Sequence, residues 1–267
     1  MNETDLQEWQ RRFGGIERLY GVQQAAHIRQ LHLAVVGLGG VGSWAAEALA
    51  RTGVGKLTLI DLDDVCLSNT NRQSHAFTST VGQPKTEVVA ARLRDINPSL
   101  ELRIIDDFVT PDNLSEVFAE RPDGVLDAID SLRAKIALLV WCKRSKIPIV
   151  TTGGAGGQID PSALAIADIS KVTQDPLMAK VRNQLRRDHG FSKNPKRKFG
   201  IDCVYSTEQL RYPVLGGDVS YAKPGHEATR LDCATGFGAS MMVTASFGLL
   251  AASKLMERVL PKHTPSS

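Results

Sequence analysis

The 267-residue chain has no two cysteines close enough in sequence to clip a metal or staple a small domain. Cys66, Cys142, Cys203 and Cys233 are scattered with no C-x-x-C among them, which argues against a structural zinc site and a secreted disulfide framework. Net charge is also scarce: 32 Lys and Arg against 29 Asp and Glu leave +3, too little for the whole chain to act as a nucleic-acid sponge. The first residues, MNETDLQEWQRR, lack the apolar core of a signal peptide, so a reducing cytoplasm is the expected setting. Internal repeats and low-complexity linkers are missing as well. Residues 233–253 carry no charge and are long enough to span a bilayer, but Gly236, Gly238, Gly248 and several Ser and Thr dilute them, and leucine is scarce. A helix buried on a sheet through its small residues is expected there, not a membrane span.

What is present is an alternation. LHLAVV (31–36), KLTLID (56–61), LELRII (100–105), GVLDAID (124–130) and IPIV (147–150) are short apolar runs of the kind that form buried parallel strands. Helical spacing fills 40–52, 83–96, 111–120 and 131–145; Pro84 stands in the first turn of the second helix and Asn97-Pro98 stops it. The short connections predict an α/β, Rossmann-like fold: a mostly parallel sheet with helices on both faces. After Thr151 the character changes to an elaborated C-terminal half. TTGGAGGQIDP (151–161) is a glycine-rich loop, 162–169 and 204–209 read as strands, 176–198 is helical and then basic, and 210–230 reads as a long mobile loop. The chain is expected to be one domain, with residues 1–10 and 260–267 flexible.

Gly37, Gly39 and Gly42, with Gly40 between them, place G-x-G-x-x-G between a strand and a helix, where missing Cβ atoms let phosphates reach backbone amides at a helix N-terminus. Asp61, with Asp63 close behind, ends the next strand and suits ribose hydroxyls, a feature shared by NAD and ATP sites. The following residues separate the two. Asn69, Asn71, Arg72 and Gln73, then Lys85, bring amides and two cations that a nicotinamide ring does not need and a triphosphate does. Asp130 is the expected Mg²⁺ carboxylate; Asp127 is of the same type but deeper in its strand, and the spacing favours Asp130. The plain alternative is a solvated loop, with Lys85 a first-turn surface lysine and Asp130 a helix N-cap. His75 either lines the nucleotide pocket or is structural. Gly153, Gly154, Gly156 and Gly157 either turn carbonyls toward a ligand or monovalent cation, or make plain tight turns.

GLGGVGSWAAEALARTGVGKLTLIDLDDVCLSNTNRQ, followed by VGQPK and VLDAIDS, resembles the ThiF/MoeB/HesA family of adenylating enzymes related to ubiquitin activators, over about residues 12–150. The resemblance implies an ATP-dependent enzyme that turns a carboxylate into an acyl-adenylate, a homodimer, and Gly39, Asp61, Asn69, Arg72, Lys85 and Asp130 as ATP and Mg²⁺ residues, with Arg72, Lys85 and Asp130 catalytic. It divides the chain into a nucleotide-binding half, 11–150, and a substrate-binding and dimerisation half, 151–259. Two departures stand out. The paired C-x-x-C motifs of sulfur-carrier-activating relatives are missing, and Arg12-Phe13-Gly14-Gly15 puts glycine where many relatives have a cross-dimer arginine, leaving Arg12 or Arg18 to substitute.

RRFGGIERLYG (11–21), TTGGAGGQIDP (151–161), ADISK (167–171) and VYSTEQ (204–209) resemble one branch of that family, whose members activate the threonyl carboxylate of threonylcarbamoyladenosine at position 37 of tRNA and close it into a ring. That branch implies a modified tRNA as partner, and possible cysteine-desulfurase or sulfur-acceptor proteins. Between Lys171 and Lys198 nine Lys or Arg face two acids, and Arg182, Arg186, Arg187, Lys193, Lys196, Arg197 and Lys198 are the expected tRNA contacts beside the active site. Three rivals remain: adenylation of a sulfur-carrier C-terminus, an NAD-dependent oxidoreductase, and a nucleotide sensor without turnover. Cys203 or Cys233 as a catalytic thiol is the less expected reading, because free Cys is more often a small buried apolar residue.

Overall fold

The computed structural model describes residues 3–214, 216–222 and 237–261. Six parallel strands and one antiparallel strand make a single sheet in the order β3-β2-β1-β4-β5-β7-β6. These are β1 (His32–Val36), β2 (Lys56–Ile60), β3 (Glu101–Ile105), β4 (Gly124–Asp127), β5 (Ile149–Thr152), β6 (Leu164–Asp168) and β7 (Asp202–Ser206). Only β6 runs against its neighbour, Ile166 pairing with Val204. The helices are α1 (Glu3–Tyr20), α2 (Val22–Ile28), α3 (Gly42–Arg51), α4 (Lys85–Ile96), α5 (Leu114–Val117), α6 (Leu132–Ser145), α7 (Pro176–Asp188) and α8 (Met241–Val259).

Because successive strand side chains alternate sides, the central strands feed two cores. Leu33, Val35, Leu57, Leu59, Leu126 and Val204 pack under α3, α4 and α8, whereas Ala34, Val36, Val125, Ile149 and Cys203 pack under α6 and α7. Gly248 lets α8 lie close on α3, since a Cβ there would run into the Val41 carbonyl. The apolar segment 233–253 is therefore only partly a helix: 237–240 are coil, α8 starts at Met241, and Val243, Phe247, Ala251 and Ala252 are buried. Residues 233–236 lie outside the described residues. No helix among the described residues is long and apolar enough to cross a membrane.

Several boundaries differ from the sequence-based expectation, each for a local reason. The fourth strand ends at Asp127, not Asp130: the Asp127 carboxylate accepts from the Ile129 amide at 3.1 Å and turns the chain out of the sheet. The helix expected at 111–120 shrinks to one turn, because the Asn113 side chain takes the Thr110 amide and the Phe108 carbonyl and starts the helix late. Pro84 is the N-cap of α4 and stands just ahead of its first turn. Residues 3–10, expected to be flexible, belong to α1; Trp9 is buried against Phe13 and Ala25, and its indole N–H donates to the Gly53 carbonyl at 3.1 Å. Within 210–222 the chain forms a small antiparallel pair, β8 (Tyr212–Pro213) and β9 (Val219–Ser220), and 223–230 lie outside the described residues.

Candidate active site

The carboxyl ends of β1, β2 and β4 meet around one glycine turn. Gly37 has φ +87, a left-handed conformation, and packs against the backbone of Ala128, so a side chain is excluded both by its dihedral and by space. A Cβ on Gly42 would overlap the Gly37 carbonyl, so the turn closes tightly on itself. Helix α3 then starts without a side-chain cap, leaving amides at its N-terminus open to an anion.

Asp61 follows β2 and is tied to this turn. Its Oδ2 accepts from the Leu38 amide at 2.6 Å and its Oδ1 from the Asp63 amide at 2.9 Å. Burial raises its pKa, while the Leu38 bond and nearby Lys85 pull it back. Lys85 starts α4 almost fully buried, with Nζ 2.7 Å from Asp63 Oδ2. It is not the surface lysine its first-turn position would suggest. The side chain of Arg72 lies across Gly40, which has no Cβ to obstruct it, and its Nη1 donates to the Ser68 carbonyl at 3.0 Å and Asn71 Oδ1 at 2.9 Å. Gln73 is buried beside Gly39 with its Oε1 unpartnered among the described residues. These residues gather around the glycine turn.

Asn69 braces the loop itself, and Asn71 ties it to the segment ahead of α8. Asn69 Oδ1 accepts from the Cys66 amide at 3.0 Å, and Asn71 Nδ2 donates to the Ala239 carbonyl at 2.8 Å. Asp130 is exposed beyond the end of β4, and its side chain makes no hydrogen bond or ion pair among the described residues; the N-cap of α6 is Ser131. His75 is fully buried with neither ring nitrogen partnered among the described residues, and burial first, then Lys85 and Arg92, lowers its pKa to about 4. It is a neutral wall beside Lys85.

Little in the linear pattern announces a second cluster, at the end of β4. Asp127 and Lys135 are both wholly buried, with Nζ 2.7 Å from Oδ2; Lys135 also donates to Thr151 Oγ1 at 3.0 Å and the Thr152 carbonyl at 3.1 Å. Asp127 is thereby closed to any metal. The available signal was the position of Lys135 on the same helical face as Leu138, Leu139 and Cys142, which marks a cation turned into the core. Sequence reasoning also missed Trp44, whose indole holds the Arg72 carbonyl at 3.0 Å.

In the glycine-rich loop, Asp175 caps α7 and binds the Gly154 amide at 2.9 Å; the Gly154 and Gly157 carbonyls accept from Gln158 Nε2 and the Arg211 amide. Cys203 is buried and burial drives its thiol pKa up, which removes it as a nucleophile. Cys233 lies outside the described residues. Arg12 pairs with Glu8 at 3.2 Å, while Arg18 lies along Gly14.

The basic cluster is not beside this site. Helix α7 begins next to Gly154, at the carboxyl ends of the strands, and its thirteen residues carry it about 20 Å to the opposite edge. Arg186 to Lys198 gather there, ahead of the start of β7. Arg182 is also withdrawn: it donates to the Ile169 and Val172 carbonyls at 3.5 and 2.6 Å. Arg186 donates to the Ser192 carbonyl and sits 5.5 Å over the Phe199 ring, and Arg187 pairs with Asp188. Lys193, Lys196, Arg197 and Lys198 are exposed.

Residues 15–266 match the ThiF family. A tRNA threonylcarbamoyladenosine dehydratase of Escherichia coli (strain K12) is 54% identical over 255 residues, covering 95% of both chains. Crystal structures of the E. coli tRNA N6-threonylcarbamoyladenosine dehydratase in complex with ATP and with AMP each superpose with a TM-score of 0.83 at 50% identity, covering 94% of this chain and 95% of the other.

Proposed function

Since the chain belongs to the ThiF family, we propose that it is an ATP-dependent enzyme that dehydrates threonylcarbamoyladenosine in tRNA by adenylating the threonyl carboxylate. The observation that supports this most is the convergence of Asp61, Arg72 and Lys85 on the glycine turn, in a chain that shares half its residues with a relative solved with ATP. In this reading Asp61 accepts from ribose hydroxyls, and the amides of the Gly37–Gly42 turn and α3 N-terminus receive phosphate oxygens.

The threonyl carboxylate attacks the α-phosphorus, and the bond to the β-phosphate breaks to release pyrophosphate. Arg72 and Lys85 exchange their present carbonyl and Asp63 contacts for phosphate oxygens and offset the charge gathering there. The neighbouring carbamoyl group then attacks the activated carbonyl carbon, loses its proton and expels AMP. One water's worth of atoms leaves with AMP and pyrophosphate. Both partners of the second step sit on one nucleoside, so no enzymic nucleophile is needed.

A Mg²⁺ held chiefly by phosphates and water belongs to this reading, with the exposed Asp130 the carboxylate that would reach it. That ion would screen the triphosphate charge. A homodimer is part of the same reading, supported by the exposed Met242 and Leu249, seven residues apart on one face of α8. So are a cytoplasmic setting, where tRNA is found, and the division of labour between 11–150 and 151–259.

Among the described residues Cys142 and Cys203 are buried with raised thiol pKa values and only Cys66 is an exposed thiol, so the sulfur-carrier alternative gains little from the cysteines. Incubation with ATP, Mg²⁺ and tRNA with or without the threonylcarbamoyl group tests the reading. Pyrophosphate release that requires the modified tRNA, with the nucleoside losing the mass of one water, supports it; release with unmodified tRNA or with a carrier protein instead defeats it.

A further inference from the structure

The foot of the sheet, opposite the nucleotide turn, carries a cleft that the cluster in sequence does not reveal. It measures about 340 Å³ and lies between the end of α6 and the 189–199 segment. Lys143 and Arg144 come from α6, His189 and Lys198 from the other wall, and no acid lines it. Among the described residues the side chains of Lys143, Arg144 and Lys198 make no ion pair, whereas the acids nearest in sequence are occupied: Asp188 by Arg187, and Asp202 by Arg258 at 2.7 Å. Cations in the last turns of α6 and α7 are ordinary complements to helix dipoles. Lys193, Lys196, Arg197 and Lys198 lie beyond the end of α7, where no dipole calls for them.

The wall is built to stand still. Asp168 accepts from the amides of Phe199, Gly200 and Ile201 at 2.9, 2.7 and 3.3 Å, and Phe199 packs edge-on to Phe191, with ring centroids 4.9 Å apart. Lys171 donates to the Pro195 carbonyl at 2.6 Å and holds the loop from the other side. Two segments distant in sequence thus present one fixed, acid-free row of cations at the end of the sheet opposite the glycine turn, the length of α7, about 20 Å, below the start of that helix.

We propose that this cleft is a second RNA site, binding backbone phosphates of the same tRNA whose modified adenosine enters the site at the top of the sheet. The proposal rests on the tRNA reading above. It makes the enzyme a reader of an extended polyanion, with the phosphate contacts fixing register and the upper site recognising the nucleoside. Lys143 and Arg144 are the distinctive members, since they come from outside the basic stretch.

The test compares Lys143→Glu/Arg144→Glu and Lys196→Glu/Arg197→Glu with the parent, measuring the Kd for full-length modified tRNA over a salt series. The Kd for ATP and the thermal midpoint are followed in parallel. Both variants are expected to bind tRNA at least about tenfold more weakly at low salt, with the slope of log Kd against log salt reduced by about one for each phosphate left without its cation. ATP affinity and thermal midpoint should stay at parental values. Unchanged tRNA affinity and salt slope in the α6 variant overturn the proposal and leave the cleft to a protein partner. Equal loss of ATP and tRNA binding overturns it too, as damage to the fold. A parent that neither binds modified tRNA nor consumes ATP with it sinks the functional reading instead.

Discussion

Two strands flank β1, and an aspartate at the end of β4 and one just past the end of β2 make the same local turn. Asp61 Oδ1 accepts from the amide two residues on, and so does Asp127 Oδ1. Their second oxygens part company. Asp61 Oδ2 meets one backbone amide of the glycine turn, with Lys85 close by but paired to Asp63. Asp127 Oδ2 is sealed by Lys135 and Thr151, none of them exposed. A carboxylate at a strand end is therefore not yet a ligand site. It becomes one where its counter-charge is free to move to a substrate, and becomes a rivet where that charge is buried with it.

Breaking the rivet should have the largest effect. Lys135→Met leaves a buried carboxylate alone and is expected to cost about 3–5 kcal/mol in a denaturation curve, with part recovered by Asp127→Asn/Lys135→Met. A loss below about 1 kcal/mol would mean that Asp127 is not sealed. On the other side of β1, Lys85→Met should keep the fold and slow pyrophosphate release by about a hundredfold or more.

His75 sharpens the contrast, because the Asp61 side alone has a buried neutral imidazole next to its lysine. Its folded pKa, about 4, lies below the unfolded 6.5, so the unfolded chain binds the extra proton between those values. Stability should be fully present above pH 6.5 and fall by up to about 3 kcal/mol as pH drops toward 4. His75→Leu should flatten that slope; an unchanged slope would show that other groups carry it. The smallest effect is expected from Asp61→Asn, which keeps an acceptor but loses the charge. It should weaken ATP binding by roughly ten- to a hundredfold in titration calorimetry, with little change in thermal midpoint.

Much of this architecture was legible because short apolar runs and helical spacing alternate through most of residues 31–150, the one-turn α5 aside, and the glycine turn needs residues that only glycine supplies. Asp61 could be placed as the residue that follows a strand beside the glycine turn, and Arg72, Gln73 and Lys85 as polar and cationic residues in the stretch from that strand to the next helix. The limit at Asp127 was not legible, since Ala128 and Ile129 continue the apolar run and only a side-chain hydrogen bond ends the strand. Charge clustering marked the basic stretch but not its direction along α7, which decides whether it lies beside the site or at the far edge. Lys135 stood in plain view as a lysine on an apolar helix face, yet the partner that neutralises it comes from a neighbouring strand, and pairings of that kind do not show in a linear pattern.

The most direct measurement follows the oxygen atoms. With heavy oxygen placed in the threonyl carboxylate of the modified tRNA, attack on the α-phosphorus predicts that one labelled oxygen leaves in AMP and the pyrophosphate stays unlabelled. Label found in inorganic phosphate, with ADP as the nucleotide product, or label retained in full by the nucleoside, would contradict adenylation as the chemistry of this site.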